Sequence, residues 1–157
     1  MDNCGYMGKY AESKGLEMQI EFIIEGKVKP KQSFRYTRSG QNYTPRDVKQ
    51  YARDIQYSFY AKYPKWLPSM FFEKPLRAGI EVYKQMPQSF SEIKKQRAIA
   101  GEIRPLIKPD CDNISKNILD ALNGVVYPDD KQIVELTVKK FYSETEFVKV
   151  RIEEIKC

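Results

Sequence analysis

Between Pro109 and Pro128 the chain has room for one short, sharply bounded helix. Pro109 disfavours helical backbone at Lys108, so the chain reaches this stretch extended. Asp112 is a natural N-cap. Ile114, Ile118, Leu119 and Leu122 then recur with the spacing of one helical face. Asn123-Gly124 stops the helix and supplies a glycine for the left-handed position. After Val125-Val126-Tyr127, Pro128 presents Asp129-Asp130. Two alternating runs follow, residues 132–142 and 146–155, which read as strands joined by Ser143-Glu144-Thr145 into an antiparallel hairpin.

The rest of the chain adds elements of the same kinds. Residues 1–16 are polar and read as a flexible N-terminal extension, leaving residues 17–157 as the domain proper. Residues 17–25 alternate and are rich in β-branched side chains, so they read as a strand ended by Gly26. Thr44 as N-cap and Pro45 in the first turn open a helix whose core face is Val48, Tyr51, Ala52, Ile55 and Phe59. On its other side lie Arg46, Lys49 and Arg53. The single Trp66, in the connection at 64–75, is expected to pack rather than to stack on a ligand. Residues 76–86 read as another strand. Ser89 or Ser91 caps a charged helix at 92–100, whose Lys94, Lys95 and Arg97 are read as a solvated face. The expected fold is α+β: a small mixed or antiparallel sheet of about four strands with helices packed on it.

Composition narrows the chemistry. The chain has 157 residues, which suits one domain with a real core. It contains no histidine. That removes Ser-His-Asp and Cys-His catalysis and His-ligated zinc, leaving carboxylates, lysine, tyrosine or water. The three cysteines, Cys4, Cys111 and Cys157, have no zinc-like spacing and fit a reducing cytoplasm better than a disulfide framework. No apolar run approaches the roughly 20 residues of a membrane span. A net charge of +6 favours a polyanionic partner.

Against this basic background the acids gather in one stretch. Asp110 and Asp112 lie two apart, Lys116 follows one helical turn after Asp112, and Asp129-Asp130 lie at the start of the next strand. A helix folding back on that strand is expected to bring the two clusters together. Carboxylates this close repel unless a cation or a proton intervenes. Oxygen-only ligands select a hard cation such as Mg²⁺ or Mn²⁺, which activates water and neutralises charge on a phosphodiester. Lys116 is placed to donate to the scissile phosphate or to orient the attacking water. Taken singly, each acid is a cap or a solvated turn; the set with its lysine reads as a metal-dependent phosphodiesterase site. Residues 27–46 carry Lys27, Lys29, Lys31, Arg35, Arg38 and Arg46 with no acid, and Phe34, Tyr36 and Tyr43 are interleaved. Such a segment suits phosphates and exposed bases.

The run Pro109-Asp110-Cys111-Asp112-Asn113-Ile114-Ser115-Lys116, then Asp120-Ala121-Leu122-Asn123-Gly124, then Asp129-Asp130-Lys131-Gln132, resembles the RusA family of Holliday-junction resolvases through its PDxDNxxK…DALNG…DDxQ pattern. A weaker likeness joins residues 30–45 to that family's basic PKxRPRxT…YTP segment. The resemblance implies a small α+β homodimer, phage- or bacterium-encoded and often from a prophage. It would bind four-way DNA junctions and nick opposing strands symmetrically with Mg²⁺. It also implies Asp110, Asp112 and Asp130 as the essential acids and metal ligands, with Asp129 a less certain ligand and Lys116 the catalytic lysine. Asn113 and Asp120 fall to capping or packing. The chain departs from the pattern at Ser33-Phe34-Arg35, where the family often has Arg-Pro-Arg, so one expected phosphate contact is missing. Two other readings stay open: a DNA-binding protein with a silent site, and a metal-dependent nuclease for other branched substrates.

Overall fold

The computed structural model describes residues 18–29, 35–36, 42–43 and 46–155. The N-terminal extension, Lys31, Phe34, Arg38, Thr44 and Pro45 lie outside the described residues, as do the side chains of Arg35, Tyr36 and Tyr43. In chain order the elements are β1 (Gln19–Glu25), β2 (Arg35–Tyr36), β3 (Asn42–Tyr43), α1 (Arg46–Lys62), β4 (Leu76–Gln85), α2 (Glu92–Ile99), α3 (Cys111–Leu122), β5 (Ile133–Ser143) and β6 (Phe147–Glu154). Two 3-10 turns, Pro68–Met70 and Asp130–Gln132, complete the set. The fold is α+β, as expected.

Four strands form one mixed sheet in the order β1-β6-β4-β5. β6 runs antiparallel to both β1 and β4, and β5 runs parallel to β4. The short strands β2 and β3 pair separately, Arg35 opposite Tyr43. The hairpin expected between β5 and β6 is therefore not formed: β4 lies between them. Residues 144–146 step across the end of β4, where the Met86 N–H donates to the Ser143 carbonyl at 2.9 Å. Alternation specifies which side chains face the core but not which strand is the neighbour. Val148, Val150 and Ile152 of β6 and Leu76, Ala78, Ile80 and Val82 of β4 are fully covered by the helices, as are Ile20, Phe22 and Ile24 of the edge strand β1. Val134 and Leu136 of β5 remain exposed, as on an edge.

α1 and α3 cover one face of the sheet. Val48, Tyr51, Ile55 and Phe59 of α1 are buried as the spacing predicts, and Ala52 packs at the margin. Phe59 anchors an aromatic cluster, edge-on to Phe22 at 5.6 Å and to Trp66 at 5.5 Å. Such pairs add about 1 kcal/mol each beyond burial. Trp66 also donates its indole N–H to the Val125 carbonyl at 2.8 Å, so it is a packing residue. Ser91 caps α2 through Lys94 N–H. The cations of α2 have local partners: Lys95 pairs with Glu92 at 2.7 Å, Arg97 with Glu102 at 2.8 Å, and Lys94 lies over the Phe90 ring.

If this core supports α3 as described, Ile118→Ala, at a fully buried position, should lower unfolding free energy by about 3 kcal/mol. Ile93→Ala on α2, at a position 74% exposed, should change it by less than about 0.5 kcal/mol. Urea denaturation of both variants measures the contrast.

Candidate active site

α3 carries most of the site. It buries Ile114, Ser115, Asn117, Ile118, Leu119, Ala121 and Leu122, so only a narrow stripe stays accessible. That stripe includes Asp112, Lys116 and Asp120, spaced i, i+4 and i+8. Gly124, at φ 69°, closes the helix in the left-handed position that its sequence calls for.

The helix starts two residues earlier than expected. Asp110, not Asp112, occupies the N-cap position, with extended backbone (φ −74°, ψ 153°) after Pro109, and its carbonyl accepts from Ile114 N–H at 3.1 Å. Its carboxylate makes no capping bond, and Asp112 lies in the first turn. Both side chains are exposed. Negative charge here is favoured by the helix dipole, which offsets part of their mutual repulsion.

The second acidic cluster divides in two. Asp129 caps the 3-10 turn Asp130–Gln132: its Oδ1 accepts from Lys131 N–H at 2.9 Å, and that bond holds its carboxyl below the ordinary value. Asp130 behaves oppositely. Burial, then the charge and hydrogen bond of Asp120, push its carboxyl up. Asp120, assigned to capping or packing from sequence, thus meets Asp130. α3 folds back on the 130–132 turn, but contact falls at its C-terminal half. Asp120 lies eight residues beyond Asp112, roughly 12 Å along a helix. Asp130 is accordingly brought to Asp120. Among the described residues no group of three acids is close enough to hold a metal ion. The donor chemistry still suits a hard cation: all oxygen, with Asp110 and Asp112 uncapped and exposed. Mg²⁺ often uses only one or two carboxylates, with phosphate oxygens and water completing its shell.

Three residues support the site in roles that the sequence reading did not assign. Asn117, nearly fully buried, donates Nδ2–H to the Lys29 carbonyl at 2.9 Å, tying the basic segment to the helix of Lys116. Lys140 of β5 donates to the carbonyls of Ile107 and Pro109, fixing the approach to Asp110. Gln132 donates to the Phe72 carbonyl at 2.9 Å, anchoring the turn of Asp130. An amide on an otherwise apolar face was the available signal for Asn117; Lys140 had none. Of the basic residues, Lys27 and Arg46 are exposed and Lys29 is partly buried.

A family model described as "Endodeoxyribonuclease RusA" matches residues 25–153. The uncharacterized protein YqaN of Bacillus subtilis (strain 168) is 44% identical over 90 residues, covering 56% of this chain and 63% of its own length. The match therefore spans less than two thirds of that relative.

The Asp120–Asp130 contact sets a pH dependence. A carboxyl raised in the folded state binds its proton more tightly there, so its contribution to stability is greatest in acid and is lost as pH rises through the raised value. Asp130→Asn should therefore raise the melting temperature at neutral pH in EDTA, with the gain shrinking as pH falls through the carboxylate range. Thermal melts of both proteins from about pH 4, near the ordinary carboxyl value, up to about pH 8 would read it.

Proposed function

The chain belongs to the RusA family of endodeoxyribonucleases, and from that premise we propose that it is a structure-specific nuclease that resolves Holliday junctions by paired symmetric nicks in DNA recombination and repair. The observation that carries this reading is the union of two features on α3. The accessible stripe presents Asp112 and Lys116, and Asn117 binds the backbone of the basic segment to the same helix. Phosphate-binding charge and a carboxylate site are thereby held in one frame. A protein that only bound DNA would gain nothing from acids at a phosphate.

In this reading Asp110, Asp112 and Asp130 are the essential acids and Lys116 the lysine that meets the scissile phosphate. Mg²⁺, or Mn²⁺, is the cation they serve; when bound it supplies an activated water and neutralises charge growing on the phosphodiester. Asp129 serves mainly as the cap that orients Asp130. Lys27, Lys29, Lys31, Arg35, Arg38 and Arg46 contact backbone phosphates on either side of the cut. The enzyme acts as a homodimer, because two equivalent sites match the two-fold character of a four-way junction. A prophage or bacterial cytoplasm is the setting that the family suggests. The described residues contain no helix long and apolar enough to cross a membrane.

The test uses labelled four-way junction, duplex, flap and single strand with Mg²⁺ or EDTA. Paired nicks confined to the junction and to Mg²⁺ are expected. Binding without cutting in Mg²⁺ and Mn²⁺ would replace the proposal with a silent junction-binding protein, and preferential cutting of flaps would replace the substrate. Asp112→Asn should lower the cleavage rate at least about a hundredfold while binding persists or tightens, since a negative charge beside phosphate is removed. Normal cutting by this variant would overturn the assignment. Arg46→Ala should weaken junction binding and reduce the slope of log affinity against log salt by about 1.

A further inference from the structure

The two edges of the sheet are treated differently. On the outer edge of β1, the Tyr63 hydroxyl accepts from the Glu21 N–H at 3.0 Å and donates to the Glu21 carbonyl at 3.1 Å. β5 has only β4 as a strand neighbour among the described residues. The Ser143 carbonyl turns toward β4, where it accepts from Met86 N–H, while the Lys140 carbonyl accepts from Arg104 Nη1 at 3.0 Å. Neighbouring residues of a strand alternate the edge to which they turn, so residues 136, 138 and 140 present N–H and C=O outward. Arg104 covers this edge at Lys140, and residues 135–139 lie before that cover. A long edge without proline or cover invites another strand. Beside it Val134 and Leu136 are 62% and 47% exposed.

The side chains of this stretch, Glu135-Leu136-Thr137-Val138-Lys139, are complementary to themselves when run antiparallel about Thr137. Leu136 then opposes Val138, both with outward backbone groups, as a hydrogen-bonded pair. Thr137 opposes its own copy. Glu135 opposes Lys139 on the face away from the helices, and the two-fold repeats that ion pair. Opposite charges directly across a strand pair stabilise, and like charges destabilise.

We propose that a second copy of this chain pairs with the β5 edge, residue 135 against 139 of the partner, to make one continuous eight-stranded sheet. This rests on the dimeric reading above and gives that dimer its surface. The two-fold axis runs perpendicular to the sheet, so both α3 helices stand on one side. Their acidic stripes then face a single bound DNA, one per opposing strand.

Sedimentation of the full chain at micromolar concentration tests it, with far-UV circular dichroism to verify folding. Both positions are exposed; Glu135 also pairs with Arg77 of its own chain, but a solvent-exposed ion pair carries little stability, so Glu135→Lys and Lys139→Glu should both fold. Each places like charges opposite one another twice and should raise the dissociation constant of the dimer at least about tenfold. An equimolar mixture of the two variants restores both opposite-charge pairs and should recover dimer. A monomeric parent, variants that dimerise as tightly as the parent, or a mixture that stays monomeric would each overturn the pairing. Junction cutting is scored separately: a parent that cuts as a dimer but is indifferent to these charges keeps the nuclease reading and loses the β5 interface.

Discussion

The buried face of α3 is the constraint on which the rest depends. Ile114, Ile118 and Leu122 are fully buried, each contributing about 2 kcal/mol by burial. Because that face must meet the sheet, the helix has no rotational freedom, and its accessible stripe is fixed as a consequence. Three hydrogen bonds then lock neighbours to it: Tyr127 to the Leu119 carbonyl at 2.9 Å, Gln56 of α1 to the Ala121 carbonyl at 2.9 Å, and Asn117 to Lys29. A site carried on a packed helix is held more tightly than one carried on a loop. Packing here is what sets the chemistry's geometry.

Charge is arranged with the same asymmetry. On the sheet face opposite the helices, cations and acids alternate across strands. Arg151 binds Glu21 at 2.7 Å, Lys149 lies 3.7 Å from the same carboxylate, and Arg77 pairs with both Glu135 and Glu153. Those cations are neutralised at short range. Residues 27–46, by contrast, hold six cations and no acid. The segment joins α3 through the bond of Asn117 to the Lys29 carbonyl, and its cations have no acid among them. Such a run favours a polyanion, because a field of one sign steers association while paired charges cancel beyond about one Debye length.

The sequence made α3, its glycine stop and the inward faces of the strands legible because each depends on local spacing. Asn123-Gly124 and the Ile114–Ile118–Leu122 repeat need no distant partner to be read. Strand order was not legible. β5 and β6 both alternate, and that alternation does not record that each of them pairs with β4 rather than with the other. The N-cap was misplaced by two residues because Asp110 and Asp112 are equally good cap formers, and the backbone set by Pro109 decided between them. The Asp120–Asp130 contact was hidden for a related reason. Motif spacing records which acids recur, whereas the point at which a helix meets the following turn depends on loop path, here Val125 to Asp129.

The two acidic pairs differ in a way that bears on their roles. Asp110 and Asp112 stand in solvent at a helix N-terminus, where charge is inexpensive, so they stay available to a cation without burdening the fold. Asp130 is partly buried against a like charge, an arrangement that opposes stability at neutral pH and is relieved by a proton or a cation. A fold under no demand beyond stability would place an amide or an apolar side chain there; strain of this kind is typically retained where function needs the charge. Asp129 lacks that strain. Its carboxylate is occupied by the Lys131 N–H and lies 3.4 Å from the Lys131 ammonium. Between the adjacent acids, the cap is Asp129 and the charge held at a cost is Asp130, the one that the proposed nuclease reading assigns to the cation.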